Sequence, residues 1–180
     1  SQPMHQVAGG ILWVVVVFAG TLGLGRVFHR ELEGDTNRAL LLSPAAPAAI
    51  YLGKLLGVIL LISLVQAAVV PLLLLLFDLR LTSPGLLLAM LAAGIAGFAA
   101  VGCLFAATLM QSRAREVLLG LITYPLVIPV VVAGSKGTAA LLAGTPDVAA
   151  ALVWLKILLV FDMVFVTLSL WAFGPLTMGE

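Results

Sequence analysis

Few side chains in this sequence could take part in chemistry, and two of them lie inside long apolar runs. Asp162 is the only acid deep in such a run, and Gln66 interrupts another. If these runs span a bilayer, a charge at that depth is costly and usually has a function. Two interpretations of Asp162 stay open: a polar contact with a partner helix, or a protonated or locally paired acid in a helix–helix seam.

No catalytic constellation accompanies these two residues. Gly53-Lys54 lacks the upstream glycine of a phosphate-binding loop, because that position is Ala48. Residues 133–137 have the outline of a nucleophile elbow, but an alanine replaces its first glycine and no span nearby carries a histidine. An intramembrane protease would need paired aspartates, a Ser–His pair or metal ligands. We therefore expect a chain that is not an enzyme and has no metal site.

The most informative polar segment lies between the first two apolar runs. It begins basic, turns acidic, breaks at a Gly-Asp-Thr sequence and resumes as an apolar run that ends at Ser43-Pro44. Asp35 or Thr36 fits the N-cap of a short amphipathic helix through Leu42. Such a helix at a membrane surface could take a push from a soluble partner, although the pattern fits a solvated connector equally well. The candidate contact residues are Arg26, Arg30, Glu31, Glu33, Gly34, Asp35 and Thr36.

The composition indicates the class of protein to which these residues belong. Of 180 residues, 63% are hydrophobic and 9% charged, and the mean hydropathy is +1.25. Soluble domains are roughly 45–50% apolar and about 25% charged, so a soluble core could not hide this much apolar surface. The net charge of +1 argues against a nucleic-acid partner. The lone cysteine, Cys103, excludes an intramolecular disulfide and a cysteine cluster.

Five apolar runs approach the length of about 20 residues that a bilayer-crossing helix needs. Their amides must be paired internally in hydrocarbon, and none of the runs shows the period of two that a barrel strand requires. We therefore predict an all-α polytopic membrane bundle, one domain over residues 1–180, with the fourth span kinked at Pro125 and Pro129. The predicted spans are 7–28, 52–77, 86–110, 117–133 and 152–173, with a cytoplasmic coupling segment at 29–50 and a loop at 134–150.

Two kinds of residue predict how the spans are packed and placed. Small residues line the third span, and Gly94, Gly97 and Gly102 in particular permit another helix to approach closely. Trp154 and Trp171 are interpreted as anchors at the membrane interface. Both features fit a moving transporter and a static bundle.

The basic residues predict the orientation. The first and third connectors lie on the same side of the membrane and hold more basic residues than the opposite side, which makes their side cytoplasmic. The first residue would then lie outside although no signal peptide precedes it, so we expect one further helix upstream. The first group is Arg26, Arg30, Arg38, Lys54, Arg113 and Arg115, and the second is Arg80, Lys136 and Lys156.

Several short motifs occur together in a fixed order. They are Ile11-Leu12-Trp13-Val14, Arg26-x-Phe28-x-x-Glu31-Leu32, Gly34-Asp35-Thr36, Leu40-Leu41-Leu42-Ser43-Pro44, Leu52-x-Lys54 and Tyr124-Pro125-Leu126-Val127-Ile128-Pro129. In this order they resemble the CcmB family, the ABC-2-type permease subunit of the haem exporter of bacterial cytochrome c maturation. The order and spacing of the five spans agree as well. One departure is Gly25, where many members of the family would have an acidic residue.

The resemblance implies a permease of six helices, of which this sequence would hold the second to the sixth. It also implies a place in the bacterial inner membrane and three partners: a cytoplasmic ABC ATPase that binds ATP and Mg²⁺, a haem-handling membrane subunit and a periplasmic haem chaperone. The ATPase would drive release of the haem-loaded chaperone. We expect no cofactor on this chain, because His5 and His29, its only candidate haem ligands, would lie on opposite sides of the membrane.

Two other functions remain open at this point. One is an ABC-2 permease that exports a lipid, a glycan or a drug. The other is an assembly scaffold that holds partner membrane subunits without transporting anything. Stimulation of a co-purified ATPase would argue against the scaffold.

Overall fold

The structure is a computed structural model that describes residues 2–33, 47–109 and 115–178. These residues form five helices and no strand: α1 Gln2–Glu33, α2 Pro47–Leu76, α3 Pro84–Thr108, α4 Arg115–Leu142 and α5 Val148–Met178. Each helix contains an apolar stretch of 23 to 26 residues, long enough to cross a membrane. The predicted all-α membrane bundle is thereby confirmed.

Helix α3 is the centre of the bundle. It contacts all four other helices, and these form a ring around it in the order α2, α1, α4, α5. Its sequence is apolar on every side and rich in alanine and glycine, as expected for a helix surrounded by other helices. The outer helices instead leave many large apolar side chains exposed, where lipid would cover them.

The contacts between helices define the two ends of the bundle. Gly20 of α1 faces Phe98 of α3 and, one turn further along both helices, Leu24 faces Gly102, so α1 and α3 run in the same direction. Since successive spans alternate in direction, α1, α3 and α5 all point towards the end where Arg26 lies. We call this the Arg26 end, and the end that holds the 77–83 and 143–147 connectors the Asp78 end.

The fourth helix is longer than the sequence analysis predicted. A loop was expected at 134–150 because of its glycines, but α4 continues to Leu142 and α5 begins at Val148. Gly134 and Gly137 are helical residues whose missing side chains leave room for neighbouring helices. The true loop is 143–147, and the Ala150 amide donates to Asp147 Oδ1 at 2.9 Å, a contact typical of a helix N-terminus.

Helix α2 ends in a turn built around Asp78. This residue has a φ of 48°, in the left-handed region that usually favours glycine. The Leu79 amide donates to the Leu74 carbonyl at 3.0 Å, which closes the last turn of the helix. Pro84 then occupies the first turn of α3, where its missing N–H costs no hydrogen bond.

Candidate functional site

One contact that joins three helices is built around Trp13 of α1. Its indole is fully buried, and its Nε1–H donates to Thr138 Oγ1 of α4 at 3.1 Å. The ring also lies against Gly94 of α3 and Gly134 of α4, and a Cβ at either glycine would overlap it. Trp13 therefore holds three helices in register at one level of the bundle.

This role of Trp13 is not among the predictions made from the sequence. The available signal was its position, because Trp13 lies inside a span whereas membrane tryptophans are enriched at the interfaces. Trp171 shows the contrast: it is the last residue of its span and is 80% exposed, as expected for an interfacial anchor. Trp154 is partly buried, and the Lys136 ammonium lies 5.3 Å from its ring centroid.

The glycines predicted to permit close packing do so in α3. Besides Gly94, Gly102 is covered by Leu24 of α1, and Gly97 lies under Phe161 and Asp162 of α5. A side chain at any of these three positions would collide with a neighbouring helix. The close packing of the central helix therefore depends on its glycines.

Gln66 lies in the seam between α1 and α2. Its side chain is 3% exposed, and its Nε2 donates to the Leu12 carbonyl at 3.1 Å. Among the residues that the structure describes, no donor reaches its Oε1. This predicted intramembrane polar residue thus fixes α2 to α1 one residue before Trp13.

Asp162 lies in the seam between α5 and α3, opposite Gly97. Its neighbour Phe161 stacks on Phe165 with 4.4 Å between ring centroids. Asp162 Oδ1 is buried and has no hydrogen-bond partner within the described part of the chain. The carboxylate therefore occupies a helix–helix seam, and a functional role for it stays a prediction.

We expect Asp162 and Gln66 to differ in a stability test. Asp162→Asn should leave the midpoint of thermal unfolding in detergent unchanged or raise it, because no described group donates to the carboxylate that is lost. Gln66→Leu should instead cost about 0.6 kcal/mol, the mean for a hydrogen bond between membrane helices. If Asp162→Asn lowered the midpoint as much as Gln66→Leu, the carboxylate would have a bonding partner in the bundle.

A second polar cluster lies inside the bundle near the Arg26 end. Tyr51 and Lys54 of α2 are buried, at 0% and 8% exposure. Tyr51 faces Cys103 of α3 and Ser169 of α5, and Cys103 also lies near Lys54. Ser169 Oγ donates to the Phe165 carbonyl at 2.6 Å. The sequence places Lys54 among the basic residues that flank a connector, whereas in the structure its side chain is buried inside the bundle.

The predicted coupling residues fall at and beyond the end of α1. Arg26 is the last residue of the apolar span and is exposed. Arg30, Glu31 and Glu33 belong to the continuation of the helix, which extends about 10 Å past Arg26 at 1.5 Å per residue. Gly34, Asp35 and Thr36, like the predicted helix through Leu42, lie outside the described residues, and α2 begins at Pro47 within the predicted 29–50 segment.

Pro125 and Pro129 both lie inside α4, which continues through them as one helix. Each proline lacks an amide hydrogen and so leaves the carbonyl four residues earlier without its helical donor. The adjacent Tyr124 hydroxyl lies 3.4 Å from Thr21 Oγ1 of α1. A kink at these prolines stays a prediction.

Comparisons with known proteins agree with the motifs. The family model described as "CcmB protein" matches residues 1–176. "Heme exporter protein B" of Pseudomonas aeruginosa is 28% identical over 180 residues, which cover this whole chain and 80% of that protein. No solved structure matches the chain. The described residues include five helices long and apolar enough to cross a membrane, and this multi-pass membrane protein belongs to the CcmB family.

Proposed function

We propose that this chain is the ABC-2-type permease subunit of a haem exporter that acts in cytochrome c maturation. The observation that carries the proposal is the CcmB match over residues 1–176, and the name of the Pseudomonas relative supports it. In this proposal the protein lies in the bacterial inner membrane with the Arg26 end in the cytoplasm, where most of its basic residues are. ATP and Mg²⁺ bind to a partner ATPase, and haem is handled by the other subunits.

The proposed mechanism is mechanical. The ATPase binds the segment that follows the α1 span, and its nucleotide-driven closure pushes on the end of α1. Helix α1 continues unbroken from Glu33 back into the bundle, where Gln66 binds the Leu12 carbonyl and Trp13 binds Thr138. A displacement of α1 therefore acts on α2 through Gln66 and on α3 and α4 through Trp13. The resulting motion would release the haem-loaded periplasmic chaperone from the haem-handling subunit.

The proposal is tested in a bacterium that lacks its own copy of this gene. The full-length protein should restore covalent haem in c-type cytochromes, measured by haem staining after denaturing electrophoresis. It should also co-purify with an ATPase subunit and with haem-handling membrane subunits, identified by mass spectrometry. Restored export of a lipid, glycan or drug with no change in c-type cytochromes would overturn the proposal.

Replacing Glu31 and Asp35 together by Ala should uncouple ATP hydrolysis from release of the haem-loaded chaperone. We expect ATP hydrolysis by the purified complex to continue while chaperone release falls about tenfold, which corresponds to losing about 1.4 kcal/mol of coupling. The control is Asp78→Asn at the opposite end of the bundle, since Asn also tolerates the left-handed backbone found there. Unchanged chaperone release per ATP in the double variant would count against this coupling surface.

A further inference from the structure

A groove between α1 and α2 opens on the outside of the bundle. It has a volume of about 450 Å³ and is lined by apolar side chains, with one charged residue, Arg26, at its end. On α1 it is formed by Val14, Phe18 and Leu22, which are 56%, 69% and 63% exposed. Leu61 supplies part of the α2 wall. The groove therefore has an apolar body and a cationic end.

The dimensions of the groove match one leaflet of a bilayer. Val14, Phe18, Leu22 and Arg26 are spaced four residues apart and form a single stripe on α1. At 1.5 Å per residue the stripe is about 18 Å long, close to the half-thickness of about 15 Å of a hydrocarbon core. Because Arg26 is the last residue of the span, we expect its guanidinium at the level of the lipid headgroups. The stripe thus follows the path of an acyl chain from its headgroup towards the bilayer centre.

The charge at the end of the groove selects the occupant. A guanidinium binds phosphate oxygens through two parallel N–H donors. In a zwitterionic headgroup the charge of the phosphate is already balanced by the headgroup's own cation, so Arg26 favours an anionic headgroup. No carboxylate of the described residues lines the groove: Asp78 and Asp147 lie at the opposite end of the bundle, and Asp162 lies in the α3/α5 seam. Glu31 and Glu33 follow Arg26 by five and seven residues along α1, and Glu116 lies in the first turn of α4. The lining residues include no histidine, methionine, cysteine or tyrosine that could ligate the iron of haem.

We propose that this groove binds an anionic phospholipid of the leaflet at the Arg26 end, with one acyl chain along α1 and the phosphate on Arg26. Lipid binding at this site would be a property of the subunit separate from its proposed function. The bound lipid would fill the space between α1 and α2 next to the part of α1 that leaves the membrane.

Quenching of tryptophan by brominated lipid tests the site directly. The full-length protein carries Phe18→Trp as a reporter inside the groove, and its signal is corrected for the parent protein. The protein is placed in two kinds of phosphatidylcholine vesicle. One contains a minor fraction of dibrominated phosphatidylglycerol, and the other contains the same fraction of dibrominated phosphatidylcholine. The control reporter is Leu168→Trp, at an exposed position on α5. Its depth is similar to that of Phe18, because both lie close to the same part of α3. Gly20, two residues after Phe18, contacts Phe98, and Ser169, next to Leu168, contacts Ala100 half a turn further along α3.

At the Phe18→Trp reporter we expect the anionic lipid to bind the groove about fivefold more tightly than the zwitterionic lipid. This ratio corresponds to the contribution of one basic residue at an anionic membrane surface. The Leu168→Trp reporter should show no such preference, because the sequence has no Lys or Arg after Lys156. Arg26→Gln should abolish the preference, and Arg26→Lys should retain part of it because the charge remains but not the paired donors. Equal preference at both reporters, or a preference that survives Arg26→Gln, would overturn the proposal.

Discussion

Replacing Trp13 by Ala is expected to lower the free energy of unfolding by about 3 kcal/mol, the low end of the range for truncating a buried tryptophan. The low end applies because lipid is as apolar as the helix interior, so little transfer free energy is lost. What remains is the loss of packing against Gly94 and Gly134, which have no side chains of their own to fill the space the ring vacates. The hydrogen bond to Thr138 adds a smaller loss.

The measurement is unfolding of the purified full-length protein by SDS titration in bicelles, followed by circular dichroism. Trp171→Ala is the matched control, since it removes the same side chain from a position that is 80% exposed. It should change the free energy of unfolding by less than about 0.5 kcal/mol, as surface substitutions usually do. Equal losses for the two alanine variants would contradict the assignment of Trp13 as the residue that holds α1, α3 and α4 in register.

The positions of the spans could be predicted from the sequence because membrane insertion depends on local hydropathy. About 20 apolar residues in a row cross the bilayer whatever lies elsewhere in the chain. For this reason the helical fold agrees with the structure, which has an apolar stretch long enough to cross a membrane in each of the five regions, although the fourth continues to Leu142 and not only to residue 133. The close packing at Gly94 and Gly102 could also be predicted, since small residues on a membrane helix permit another helix to approach closely.

The contacts between spans could not be predicted in the same way, because each depends on two distant residues. Trp13 and Thr138 are 125 residues apart, and no local pattern pairs them. The same reason explains why a loop was wrongly predicted from residue 134, where α4 in fact continues. Glycine is common in loops, and only the contact with Trp13 shows that Gly134 is a packing position in a helix. Lys54 was likewise placed by its sequence position, whereas its burial depends on Cys103 and the helices around it.

Gly94→Leu is expected to destabilise the bundle by an amount comparable to the Trp13→Ala change. Overpacking usually costs about 1–3 kcal/mol, and the upper end applies here because the indole cannot move away. Gly94 faces one part of the ring, and Gly134 and the Thr138 hydroxyl hold it from the α4 side. Gly57→Leu is the control, since a Cβ at Gly57 meets nothing within 4 Å, and leucine favours the helix more than glycine does.

Combining the two substitutions distinguishes a specific contact from general damage to α3. In the double variant the leucine at position 94 can enter the space that the indole of Trp13 has vacated, so part of each single loss should be recovered. We expect the double variant to be more stable than the sum of the two losses predicts, by about 0.5–3 kcal/mol, as found for residues in direct contact. Losses that simply add would mean that the two positions act independently, and the three-helix contact at Trp13 would then be wrong. Recovery confined to this pair, and absent when Trp13→Ala is combined with Gly57→Leu, would establish that the register of α1 against α3 depends on one aromatic ring and one missing side chain.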